Sequence, residues 1–366
     1  MRPQPHGTGA FIMTYRHLGR FFLIAAFAVF VSMSLLAQTS TAPPLSPDNP
    51  FAQPSKLPYF IPPFEQIKDA HFRPAFEAGM AEQRREIEAI DKNPEAPTFE
   101  NTIVALEKSG QLLDRVASVF YNLNSSNTNP EILKIASEMA PKLAAHEDAI
   151  TLDPVLFDRI EKVYQQRASL KLDPESAYLL ERTRTEFVRA GAKLGPEQKT
   201  KLKEINEQIA SLTTQFQQNV LKATKASAVV VANKAELDGL SPEQVSAAAE
   251  AAKARGMEGK WVITLQNTTI QPALADLKSR ALRERIYKAS TSRAIGGPED
   301  NTAVVAMIAK LRAEKAELLG YSDFATYQLT DQTAAKPANV NKILTEIVPV
   351  ALANAKKEAA DNQKLI

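Results

Sequence analysis

The 366 residues contain no cysteine, which excludes disulfides, thiolate catalysis and cysteine-ligated zinc. Histidine is almost as scarce: His6, His17, His71 and His146 are the whole set, and no two lie four apart. There is no G-x-x-x-x-G-K-[ST] phosphate loop, no G-x-G-x-x-G dinucleotide turn and no G-x-S-x-G nucleophile elbow. Charge of one sign is also missing. Lys plus Arg number 44 against 42 for Asp plus Glu, a formal charge of +2. A dedicated nucleic-acid binder would carry a concentrated basic excess. What remains is ordinary for a folded protein with a sizeable core: 44% hydrophobic and 23% charged residues.

The one long apolar run is Phe21–Leu36, sixteen residues behind Arg16, His17 and Arg20 and followed by Ala37 and a polar Gln-Thr-Ser-Thr stretch. It is short for a spanning helix, which needs about 20 residues. Residues 1–37 therefore read as a secretory signal peptide cut after Ala37, with Met1 and Met13 as alternative starts. The expectation is a periplasmic or secreted protein without a membrane anchor. Residues 38–63 form a proline-rich lead-in in which no long helix fits.

From Phe64 the pattern is helical. Residues 64–225 read as an amino-terminal helical region, 226–297 as a strand-helix-strand-helix region, and 298–366 as a further helical region. Phe72-Arg73-Pro74 opens a helix to about Ile90. Thr98 caps the next, with Phe99, Ile103, Leu106, Leu113, Val116 and Phe120 on one stripe. Asn129-Pro130, Asp153-Pro154, Asp173-Pro174 and Ser241-Pro242 each place a capping oxygen before a proline suited to the first helical position. Gly191 and Gly256 read as stops. Lys199–Leu221 carries a strong stripe over about six turns. Ala226–Ala232, with Val229, Val230 and Val231 together, and Trp261–Leu265 are strand candidates flanking a helix at Ser241–Arg255, and the two are expected to pair. Asn267-Thr268-Thr269 then caps a helix with Pro272 in its first turn and Leu274, Leu277, Ala281 and Ile286 on its buried face, ended by Gly296-Gly297. Helices follow at about Glu299–Leu319, Ser322–Leu329 and from Pro337 onward, with Pro349 as a disturbance. The fold class is mainly α with one small β-sheet.

Candidate chemistry is thin. His71 near a helix start and His146 beside Glu147 and Asp148 are the only histidines after the leader, and both read as structural. Lys278, Arg280, Arg283, Arg285 and Lys288 do not share a helix face and are interrupted by Asp276 and Glu284, so they read as a solvated surface. Asn267–Thr269 reads as a cap rather than a substrate contact. No residue is assigned as catalytic, substrate-binding or metal-ligating.

Longer stretches carry more information than single residues. GKWVITLQNTT at Gly259–Thr269 with QPAL, then RALRERIYKASTSR at Arg280–Arg293, resemble the zinc metallopeptidases of the thimet oligopeptidase and peptidyl-dipeptidase family. The bacterial peptidyl-dipeptidase (dipeptidyl carboxypeptidase) branch is the most similar. NPF at Asn49–Phe51, PTFENTIVALEKSG at Pro97–Gly110, APKLAAHEDAI at Ala140–Ile150, FVRAGAKL at Phe187–Leu194 and AKLRAEKAELLGY at Ala309–Tyr321 extend it.

The resemblance implies an elongated helical body split by a deep channel that admits short unfolded peptides. It also implies zinc held by an H-E-x-x-H helix whose Glu is the general base, with a further glutamate ligand on a later helix. Here only His146 is followed by Glu, and Ile150 stands where the second His belongs. The chain thus resembles the amino-terminal half of such an enzyme, the last helix ending without a stop signal as though cut. The expected function of the complete enzyme is release of carboxy-terminal dipeptides from short peptides. This chain alone is expected to be inactive and to bind no zinc, with exposed apolar surface near Gly320–Ile366 and, as partners, short peptides or a separate catalytic half. The alternative is a secreted helical module that binds peptides or a partner without catalysis.

Overall fold

The computed structural model describes residues 44–365. The leader expected at residues 1–37, with His6 and His17, and the first part of the proline-rich stretch lie outside the described residues. Residues from Pro44 to Phe64 have no regular structure beyond a short 3-10 turn at Pro58–Phe60. Tyr59 and Phe60 there hold left-handed backbone, φ 57 and 56, with both rings in solvent.

Helix α1 spans Phe72–Asp91. Thr98 caps the next segment as expected, its Oγ1 accepting from the Asn101 amide at 3.0 Å. The segment is not one helix, however. A π-helical turn at Phe99–Val104 runs into the short α2, Ala105–Glu107, and the chain breaks before α3, Gln111–Ser126. The cause is Gly110, whose φ of 78 suits glycine and whose amide is taken by Glu86 Oε2 at 2.8 Å. The four capped prolines all open helices: α4 Pro130–Thr151, α5 Pro154–Gln165, α6 Pro174–Ala190 and, after one further helix and the first strand, α8 Pro242–Lys253. Gly191 ends α6 in left-handed geometry. Helix α7 is longer than its stripe indicated, covering Pro196–Ala226.

Strands β1 (Val229–Val231) and β2 (Trp261–Ile263) pair antiparallel, Val230 opposite Val262, in the two-stranded sheet expected. Beyond β2 the expected single helix is two: α9, Asn267–Asp276, and α10, Arg280–Thr291. Asn267–Thr269 lie inside α9 instead of capping it, with no side-chain cap, and Pro272 falls in its interior. The break has a tertiary cause. The Asp238 carbonyl accepts from the Lys278 amide at 2.9 Å, and the backbone at Gly239 lies so close to Asp276 that an added Cβ would sit 2.0 Å from its carbonyl oxygen. Leu277 is thereby extended, and Ser279 caps α10, accepting from the Leu282 amide at 3.3 Å.

Helix α11 covers Thr302–Leu318 and α12 covers Phe324–Leu329, capped by Asp323. Helix α13, Pro337–Leu365, is continuous through Pro349, so the expected disturbance does not break it.

Aromatic rings seed one core. Phe72 stacks edge-on against Phe120 at 5.1 Å, Phe76 against Phe120 at 5.2 Å, and Phe51 tilts onto Phe72 at 5.3 Å, with Val116, Ile132 and Ile135 closing around them. Ile90, Ile103, Leu156, Ile160 and Phe187 form a second cluster where α1 meets α5 and α6. The β1–β2 pair, α8, α9 and α10 bury a third around Val231, Ile263, Leu282 and Ile286. Helix α7 links its neighbours by side-chain hydrogen bonds. Gln218 donates to the Leu133 carbonyl of α4 at 2.7 Å, and Asn219 donates to Asn301, just ahead of α11, at 2.9 Å.

Candidate functional site

The two histidines within the described residues are far from equivalent. His71 ends a 3-10 turn, where its Nδ1 accepts from the Lys68 amide at 3.1 Å, a local backbone role. His146 sits on α4 at 4% exposure, with Nε2 2.7 Å from Gln83 Oε1 of α1. That partner is an acceptor, so Nε2 carries the proton, and the buried Nδ1 has no partner. Burial, and secondarily the charge of Arg84, push His146 down to about 4. It is a neutral structural histidine at physiological pH. Its sequence neighbours do not help it, because residues one and two apart on a helix face different ways.

Asp148 instead turns to α7. Asn206 Nδ2 donates to Asp148 Oδ1 at 2.7 Å, and Lys315 Nζ of α11 donates to Asn206 Oδ1 at 2.7 Å. This amide-bridged ion pair ties three helices. Burial pushes the Asp148 carboxyl up, opposed by the Asn206 hydrogen bond, and pushes the Lys315 ammonium down, opposed by Asp148. Asp148 Oδ2 is buried without a partner. Sequence reasoning missed this line because its members lie 58 and 109 residues apart.

A third buried polar group, Arg159 of α5, donates to the Asn93 carbonyl at 3.0 Å and to Asn101 Oδ1 at 3.2 Å. It clamps the connection between α1 and the π-turn. Nearby, burial and then the charge of Asp153 raise Asp91 to about 6.

The basic run is dispersed, as its spacing indicated. Arg285 pairs with Glu236 at 3.0 Å, Lys288 with Glu284 at 2.6 Å and Lys278 with Asp238 at 3.2 Å, while Arg283 donates to the Leu277 and Lys278 carbonyls. A shallow hollow of about 310 Å³ lies beside Leu274, Arg280, Arg283, Glu284 and Tyr287. A second, of about 230 Å³, is lined mostly by Pro50, Phe51, Phe60, Pro62, Pro63 and Val119. Its one charged wall, Arg115, donates to the Phe51 carbonyl at 3.0 Å. Glu284, the one carboxylate at the first hollow, is paired with Lys288, and the second hollow is lined by no carboxylate or histidine.

The donor set of a zinc peptidase is not assembled here either. Among the described residues no group of three or more His, Asp or Glu could hold a metal ion. His146 spends one ring nitrogen on Gln83, and the two described histidines are 75 positions apart in sequence. These residues do not fit a catalytic zinc.

Residues 273–366 match the sequence model of Peptidase family M3. The chain is 43% identical over 319 residues to the dipeptidyl carboxypeptidase of Escherichia coli (strain K12), covering 87% of this chain and 47% of that protein. Identity and coverage are the same for the dipeptidyl carboxypeptidase of Salmonella typhimurium. An organellar oligopeptidase A of Arabidopsis thaliana is 31% identical over 288 residues, 77% of this chain and 36% of its own length. The chain spans about half the length of the dipeptidyl carboxypeptidases it matches.

Proposed function

We propose that the chain belongs to peptidase family M3 and that it supplies the helical, non-catalytic portion of a zinc-dependent oligopeptidase releasing carboxy-terminal dipeptides from short peptides. The observation that carries this reading is the 43% identity to proteins named dipeptidyl carboxypeptidase, extending over 87% of the chain. In the proposal, this chain forms one wall of a channel whose width excludes folded proteins. Zinc chemistry belongs to residues outside the chain, so no catalytic step is assigned to any side chain described here. The 366 residues alone do not retain zinc and do not hydrolyse peptides.

Metal analysis of the purified chain together with hydrolysis of an amino-blocked tripeptide tests this directly. We expect substoichiometric zinc and no dipeptide release. One zinc per chain with zinc-dependent hydrolysis would overturn it. Peptide binding by calorimetry without hydrolysis would instead favour a binding module.

The proposal places the protein beyond the inner membrane, in the periplasm or secreted, on the strength of residues 1–37. Among the described residues no helix is long and apolar enough to cross a membrane. Amino-terminal sequencing of the exported protein should begin at Gln38; a cytosolic product retaining the leader would refute export.

A further inference from the structure

Helix α10 turns four long side chains toward one hollow. At about 100° per residue Arg280, Arg283, Glu284 and Tyr287 fall within roughly 100° of its circumference. All of them line the space of about 310 Å³ that Leu274 of α9 walls on the apolar side. The buried face of α10 is a different one, carrying Leu282 and Ile286.

The pairing of the charges decides what the hollow can hold. Lys278, Arg285 and Lys288 each have a carboxylate partner, whereas among the described residues Arg280 and Arg283 have none. Arg283 is steered by the Leu277 and Lys278 carbonyls, both reached through Nη1, so it is oriented without being neutralised and keeps Nε and Nη2 for another acceptor. Glu284, the only carboxylate on the wall, is 2.6 Å from Lys288. Lys288, and more weakly Arg280, hold its carboxyl below the ordinary range, so it is ionised and already paired. Two guanidiniums are left without a counter-charge beside the phenol of Tyr287, which is 58% exposed.

Guanidinium forks match the oxygens of a carboxylate and equally those of a phosphate. The neighbours separate the two. Leu274 and the Tyr287 ring flank the charges, so the hollow suits an anion on a short apolar stem, which an Asp or Glu side chain has and inorganic phosphate lacks. We propose that the α9–α10 hollow binds an acidic side chain of a peptide, its carboxylate shared between Arg280 and Arg283 and its methylene stem against Leu274 and Tyr287. That the carboxylate arrives on a peptide rests on the reading above, in which peptides are the ligands; the preference for a carboxylate rests on this chain's own side chains.

Chemical-shift titration of the ¹⁵N-labelled full chain with acetyl-Gly-Glu-Gly-amide tests it, since both ends are blocked and the side chain is the only carboxylate. The expected result is saturable shifts at α10 amides from Arg280 to Tyr287, weaker at high salt and absent with the Gln counterpart. Arg280→Gln should weaken binding about fivefold, the upper value for one exposed ion pair. Glu284→Gln should tighten it by a similar factor, because it removes the one carboxylate that repels the ligand. Both side chains are exposed, so the fold should be unchanged. Glu358→Gln, which removes a carboxylate from α13, should have no effect.

Equal binding of the Gln peptide, shifts confined to other elements, or affinity insensitive to Arg280→Gln and Glu284→Gln would overturn the proposal. Inorganic phosphate binding more tightly than the peptide would overturn it in favour of a phosphate site. Glutarate bound through Arg280, with no binding of the Glu peptide, would keep the carboxylate site and overturn its peptide occupant, counting against the reading above. No shift with either compound sinks the site alone, because the peptidase reading is judged separately by zinc content and hydrolysis.

Discussion

Acidification should weaken this protein through one histidine, and the size of the effect follows from its surroundings. His146 is folded against Gln83 with Nδ1 buried and unpaired, and it titrates at about 4 against 6.5 when exposed. Because its folded value is depressed, the stabilisation is fully present above pH 6.5 and is lost as pH falls through 4. At 1.36 kcal/mol per pH unit the difference is worth about 3 kcal/mol. Relaxation of the surroundings and water penetration around a charged ring lower this to about 2 kcal/mol. Urea unfolding of the parent and of His146→Gln at intervals from pH 7.5 to pH 4 is the assay. Glutamine still donates a hydrogen bond to Gln83 but cannot take up a proton, so the variant should lose about 2 kcal/mol less than the parent across that range. Comparing the two removes contributions from the raised carboxyls of Asp91 and Asp148, which are common to both. Parallel pH profiles would refute the assignment of this acid sensitivity to His146.

Asp91 should act in the opposite sense. Its folded value of about 6 lies above the usual 3.8, so its contribution is greatest in acid and is lost as pH rises through 6. Asp91→Asn should therefore raise stability at pH 7.5 by about 1 kcal/mol after screening, with no gain at pH 3.5, read by the same urea titrations. Gly239→Ala should lower Tm and loosen the β1–α10 region, because the new Cβ meets the Asp276 carbonyl at 2.0 Å; an unchanged hydrogen-exchange pattern there would contradict the account of the α9–α10 break. Asp153→Ala, which strips the cap from α5, should cost about 1 kcal/mol in chemical denaturation. An apolar-surface dye should brighten with the full chain and dim with Leu344→Glu plus Ile347→Glu; equal brightness would place the exposed apolar surface elsewhere.

Local chemistry made much of the fold legible. The four capped prolines declare helix starts from two adjacent residues, and Val229–Val231 with Trp261–Ile263 declare strands by their β-branched and aromatic content. Periodicity failed where tertiary contact overrode it. The stripe from Phe99 to Phe120 is real, yet Glu86 and Gly110 interrupt it, and the run from Ala273 to Ile286 is broken by Asp238 and Gly239, over thirty positions away. His146 shows the same limit for chemistry. Glu147 and Asp148 suggest an acidic setting, but burial and Arg84 decide its proton affinity. No local pattern announces the Asp148–Asn206–Lys315 line, because hydrogen bonds between helices leave no spacing in the sequence. The absence of H-E-x-x-H, by contrast, could be read from four histidines alone.

Helix α7 has a mechanical consequence. Its 31 residues make a rod of about 46 Å at 1.5 Å per residue. Asn206 and Gln218 engage α4, while Asn219 engages the residue that leads into α11. A stiff rod pivoted near one end converts angle into travel: a tilt of about 5° moves the far end by about 4 Å over this length. Packed helices slide by one or two ångströms in ordinary shear motions. Because Gln218 and Asn219 are neighbours on the rod, its contacts with α4 and with the residue ahead of α11 share any such travel there. The rod thus couples α4 to α11 at two levels, through Asn206 between Asp148 and Lys315 and, about 18 Å further along, through Gln218 and Asn219, so a tilt must strain bonds to both neighbours at once.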